Sequence, residues 1–151
     1  NLAVKPSGND REQAKGVFSG ECDIGIANTY YMGIMLSNEK DPAQKEWANS
    51  ARIVFPSSEA MGTHVNISGM LLAKNAPHKD NAVKLMTFLA SDEAQKLYAE
   101  GNFEYPVNPA VPASEIVQAW GSFTPDSINV ADVAKFEKAA AKLVDEVQFN
   151  D

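Results

Sequence analysis

Tyr30 and Tyr31 follow directly on Asn28-Thr29, and this pair of adjacent phenols carries more chemistry than any other feature of the sequence. A phenolate oxygen is a hard anionic donor, matched to a small, highly charged cation such as ferric iron far better than to a soft metal. A phenol's ordinary pKa of about 10 keeps it protonated near neutrality, so a site that uses it must favour the anion, as helix N-terminal amides do. Adjacent residues on a regular helix diverge by about 100 degrees, so two such side chains converge only at an element end, where the backbone is still turning. Asn28-Thr29 is a cap sequence and places the pair at such an end. The same residues also read as one core and one surface aromatic at a strand-to-helix junction, and residue type alone leaves both readings open.

The rest of the chain offers little else to a reaction. His64 and His78 are its only imidazoles, and neither has a ligand partner at i+3 or i+4. His64 reads as a hydrogen-bonded strand residue and His78 as an exposed helix-start residue. The lone Cys22 cannot close an internal disulfide; it reads as a small buried hydrophobe or as the partner of a cysteine outside this chain. Trp47 and Trp120 read as packing residues. There is no glycine-rich phosphate loop and no Gly-x-Ser-x-Gly elbow, so no nucleophile or acid–base set is assembled and an enzyme is disfavoured.

The elements that must position the tyrosines follow from local signals. Asn9-Asp10 caps a helix over residues 11–18, which Ser19-Gly20 ends, and residues 23–27 read as a buried strand running into the capped helix at Tyr30. Asp41-Pro42 with Gln44 at the capping-box position starts a helix reaching about Asn49. Strands are expected at residues 2–4, 52–55 and 63–73, the last interrupted by Gly69. A helix over 81–90 carries a broad apolar stripe, Val83, Met86 and Leu89 with Leu85 and Phe88 beside them, Ser91 caps another to Glu100, and a short one runs from Ser114 to Trp120. Asn129 caps a final helix over 130–147 with Val133, Phe136, Ala140, Leu143 and Val147 on its buried face. Strands alternating with helices predict an α/β fold, mixed sheets flanked by helices.

Composition bounds the partners. The 151 residues are 44% hydrophobic and 22% charged, ordinary globular values. A net charge of −7 with basic residues scattered singly or in isolated pairs disfavours nucleic acid and anionic membranes, and suits a protein that handles a cation. No apolar run approaches the roughly 20 residues that span a bilayer. No basic-then-apolar stretch opens the sequence, so any export signal lies upstream or never existed.

The run Gly8-Asn9-Asp10-Arg11-Glu12-Gln13, then Gly20-Glu21-Cys22-Asp23-Ile24, then Asn28-Thr29-Tyr30-Tyr31, resembles the corresponding run of periplasmic ferric-iron-binding proteins. His64-Val65-Asn66-Ile67-Ser68-Gly69, Asn81-Ala82-Val83-Lys84-Leu85-Met86 and Glu104-Tyr105-Pro106-Val107 are similar to later segments of that family in the same order. The double tyrosine is the specific element. The resemblance implies the carboxy-terminal half of a type II periplasmic-binding-protein fold, with Tyr30 and Tyr31 as paired tyrosinate ligands of Fe(III).

It further implies that Asp10 and Asn28 stand where some members contact a synergistic anion. Those members carry an amide at the position of Asp10, and a carboxylate repels an anion. Asn9-Asp10-Arg11 instead resembles the branch that binds iron mainly through tyrosines, with Arg11 neutralising Asp10, lining the cleft or simply solvated. Residues 1–60 and 108–151 would form the carboxy-terminal, tyrosine-bearing lobe and residues 61–107 part of the amino-terminal one. The remaining ligands would come from a missing amino-terminal half or complementary chain. The implied activity is ferric iron uptake without turnover, the lobes closing on the metal and delivering it to an ABC transporter permease. A related binding protein for an anion or a polyamine is the alternative, which needs no hard anionic pair.

Overall fold

The computed structural model describes residue 5 and residues 8–149, so the strand expected over 2–4 and part of the turn at Pro6-Ser7 lie outside the described residues. The chain divides into two compact units, Asn1–Ile67 with Phe123–Asp151, and Ser68–Ser122.

In the first unit the helices begin where local chemistry starts them. Asn9 Oδ1 accepts from Arg11 N at 2.9 Å and opens α1, Asp10–Ser19. Gly20, at φ 75°, closes it in the left-handed conformation that glycine adopts without a Cβ penalty. Helix α2 is Thr29–Leu36 and α3 is Pro42–Ser50, with proline in the first turn where its missing N–H costs nothing. Gln44 does reach back to Asp41, but Nε2 donates to the carboxylate at 3.0 Å rather than the side chain accepting from the Asp41 N–H.

These three helices pack on one another around Ala14, Met35 and Ala48, with Met32, Leu36 and Trp47 covering the edge. Two alanines let the helices approach closely while Met35, fully buried, fills the gap between them. Met35→Ala in the complete protein is therefore expected to cost about 2–5 kcal/mol in urea unfolding, the range for emptying a buried site of this size. A change below about 0.5 kcal/mol would mean the three helices do not share a core.

The expected mixed sheet is not formed among the described residues. Residues 23–27 and 52–55 and the stretch after 63 are not paired into strands, and the β contact present is a parallel bridge between Thr63 and Pro125. Thr63 N donates to Thr124 O, and Asp126 N donates to Thr63 O, each at 2.8 Å. Gly62 is needed beside this bridge, since a Cβ there would sit 2.5 Å from the Pro125 carbonyl carbon. A strand is stable only when a neighbour takes up its N–H and C=O groups, and no ladder partner for these segments lies among the described residues. Their apolar side chains stand open accordingly: Ile24 is 84% exposed, Ile26 88% and Val54 80%.

The final helix is also corrected. Asn129 caps it as expected, but it runs as α7, Val130–Val133, then a 3-10 turn at Ala134–Phe136, then the ten-residue Glu137–Glu146. Its apolar stripe of Val133, Phe136, Ala140, Leu143 and Val147 is exposed rather than buried, because among the described residues nothing lies over it.

The second unit contains α4, Lys79–Leu89, α5, Asp92–Gly101, and the short α6, Glu115–Gln118, the last two capped by Ser91 and Ser114 side chains. Ala94, Ala99, Phe103, Val111 and Val117 are its buried residues. Gln95 staples the unit, its Nε2 donating to Leu89 O and its Oε1 accepting from Val107 N. Phe103 holds φ 58°, unusual for a side chain of that size, while burying its ring to 7% exposure. Helix α4 buries no residue fully, and Val83, Leu85 and Phe88 of its stripe stay exposed.

Candidate metal centre

Helix α2 begins at Thr29, so Tyr30 and Tyr31 are the second and third residues of its first turn. That turn is tightened: Tyr31 N donates to Asn28 O, three residues back, at 3.3 Å. The tyrosine rings lie side by side, centroids 4.4 Å apart and planes tilted by 33°. Side chains diverging as they do on a regular helix could not stack in this way, so both phenols lie on one side of the helix start. Both are half-buried. The pair can offer two hard oxygen donors to one cation.

The other sequence-selected residues gather around it. Asp10 Oδ1 accepts from Asn28 N at 2.7 Å and from Asn28 Nδ2 at 3.1 Å. The Arg11 guanidinium carbon lies 5.1 Å from the centre of the Tyr31 ring, a cation–π contact. Asn28 occupies the N-cap position of α2, yet its side chain makes no capping bond. Asp10, Arg11, Asn28, Tyr30 and Tyr31 are thus brought together by the first turns of two helices. Asn66, quoted in the sequence only as part of a longer run, joins them by donating Nδ2 to Asn28 Oδ1 at 3.3 Å. Nothing local marks Asn66, because its partner lies 38 residues away.

His64 is exposed in an extended segment, and His78 is the exposed N-cap residue of α4 without a side-chain capping bond. Among the described residues no group of three or more His, Cys, Asp or Glu side chains is placed to hold a metal. Burial pushes the Tyr105 phenol above its ordinary pKa of 10.0, away from the anionic form a hard cation needs. Cys22 is free and half-buried, its sulfur close against Gly16 of α1. Among the described residues no helix is long and apolar enough to cross a membrane.

The chain belongs to the family of bacterial extracellular solute-binding proteins, which it matches over residues 25–125. Iron uptake protein A1 of Synechocystis sp. is 43% identical over 146 residues, 97% of this chain and 40% of that protein. The apo ferric ion-binding protein A of Pasteurella haemolytica superposes with a TM-score of 0.93 at 54% identity, across 100% of this chain and 46% of its own. The Trichodesmium protein IdiA (FutA), solved with iron and citrate ligands, gives a TM-score of 0.91 at 44% identity, across 99% and 47%.

The resemblance to ferric-binding proteins read from the sequence therefore holds in both sequence and chain trace. The chain spans less than half the length of these relatives, 40 to 47%.

Proposed function

We propose that this chain is the tyrosine-bearing part of a periplasmic receptor for ferric iron, which binds the metal without turnover and delivers it to an ABC-type permease. The observation that carries this reading is the closely packed Tyr30–Tyr31 pair at the start of α2. Two phenolates bring two negative charges and two hard oxygens to one point, which suits a trivalent cation and is wasted on an organic solute. The names of the similar proteins, concerned with iron uptake and ferric iron, support it.

Two donors do not fill the coordination sphere of ferric iron. The others, and the strands that pair with the open segments of the first unit, would come from the rest of the longer protein. In this reading residues 1–60 and 108–151 belong to the carboxy-terminal lobe with Tyr30 and Tyr31, and residues 61–107 contribute to the amino-terminal lobe, whereas the compact units divide the chain after Ile67 and after Ser122.

Binding through phenolates must release their protons, and this gives a test with a definite sign. Well below a phenol's ordinary pKa of about 10, each tyrosinate ligand adds about one unit to the slope of log K against pH. Ferric affinity of the complete protein, measured against a chelator of known pH dependence between pH 5.5 and 7.5, is expected to rise by about a hundredfold per pH unit when both phenolates bind, and by about tenfold if only one does. An affinity independent of pH across that window would rule out phenolate ligation. A receptor for a polyamine or an anion at this site would instead show no coloured ferric complex.

A further inference from the structure

Among the helix starts of this chain, Asn9, Ser91, Ser114 and Asn129 each turn their side chain onto the first-turn amides of their own helix. Asn28 does not, although its residue type and extended backbone suit a cap as well as theirs. Its amide nitrogen instead donates to Asp10 Oδ1 at 3.1 Å, and its amide oxygen accepts from Asn66. The same Asp10 oxygen holds the Asn28 main-chain N–H at 2.7 Å, the shorter of the two bonds and one to an ionised acceptor. The backbone point from which the tyrosine-bearing helix departs is thereby tied to the first residue of α1. Arg11, the next residue of α1, lies against the Tyr31 ring, so the same turn touches both the base and the side of the pair.

We propose that Asp10 is a positioning residue for Tyr30 and Tyr31, holding the start of α2 through Asn28, and contacts neither the metal nor a synergistic anion. The inference deepens the ferric-binding reading and rests on it. Two oxygens on adjacent residues meet one ion only if the turn carrying them keeps its place relative to the body of the lobe. A tightened first turn without a side-chain cap has little of its own to hold it there. The Asp10 carboxylate supplies that hold from outside the helix, as outer-shell carboxylates do for metal ligands elsewhere. One of its oxygens is committed to two bonds with Asn28, and its negative charge repels rather than recruits an anion.

The test uses the complete protein with ferric iron supplied from a weak chelator, comparing the parent with Asp10→Ala and Asp10→Asn. Alanine removes the acceptor. Asparagine retains a carbonyl oxygen for the Asn28 N–H but carries no charge. Asp10→Ala is expected to lower ferric affinity by about tenfold and to displace the tyrosinate-to-iron visible band, at a temperature where circular dichroism shows it folded. Asp10→Asn should return to within about threefold of the parent, with the parent's band.

Equal losses in both variants would overturn the proposal, because the charge of Asp10 and not its hydrogen bonds would then matter. So would parent-like affinity in Asp10→Ala, or a loss that appears only when bicarbonate or citrate is added, which would make Asp10 an anion contact. A parent that takes up no ferric iron, or keeps its affinity when Tyr30 and Tyr31 are both phenylalanine, overturns the underlying reading and the proposal with it. That outcome is distinct from a parent that binds and an Asp10→Ala variant that matches it.

Discussion

Replacing Tyr30 or Tyr31 by phenylalanine in the complete protein is expected to weaken ferric binding by at least about tenfold for each change, the scale of losing one strong charged contact. The change is sharp because it removes only a hydroxyl. The two rings would still stack at 4.4 Å, and Arg11 would still find an aromatic face at position 31. The helix core at Met35 lies beyond the site, so stability should move by less than about 0.5 kcal/mol. Affinity and stability therefore separate a ligand from a packing residue. The visible band should fade or shift in each variant, since it arises from the phenolate-to-iron bond itself. If both single variants bind ferric iron with the parent's affinity and colour, the pair is packing after all and the ferric reading loses its specific support.

The second large effect concerns the chain on its own. Val83, Leu85, Phe88 and Leu97 are exposed on α4 and α5, as are Phe136, Leu143 and Val147 near the carboxy-terminal end. Burying one such side chain is worth about 1.5–3 kcal/mol, so faces of this size do not stay open in water at protein concentrations of micromolar and above. Expressed alone, the 151 residues are expected to self-associate, with the weight-average mass in sedimentation rising with concentration. Leu85→Lys with Phe88→Lys should move the midpoint of that association to at least about tenfold higher concentration. Supplying the remainder of the protein as a separate chain should suppress it in the same way. A monomer that unfolds sharply and at high temperature without that remainder would contradict the assignment to a longer two-lobed receptor.

Both predictions turn on which parts of the molecule are held locally and which are held at a distance. The helices belong to the first kind. Asn9, Ser91, Ser114 and Asn129 cap where a capping residue precedes an apolar period, and Asp41-Pro42 starts α3. Such signals act between a residue and those three or four positions on, so they survive whatever surrounds them. The stacking of Tyr30 on Tyr31 is local in the same sense, being settled within one turn.

The sequence by itself thus determined where the helices begin and put two phenols at the start of one of them. Tertiary structure decided the rest. Asn28 carries every local mark of a cap and does not act as one, because distant residues hold its amide: the nitrogen donates to Asp10, 18 residues away, and the oxygen that would cap accepts from Asn66, 38 residues away. The α/β pattern was legible at residues 23–27 and 52–55, yet a strand consists of bonds to another segment, and no ladder forms there among the described residues. The long final helix divides at Ala134–Phe136 and leaves its stripe exposed, since an amphipathic period states only which face would be buried, not that anything is present to bury it.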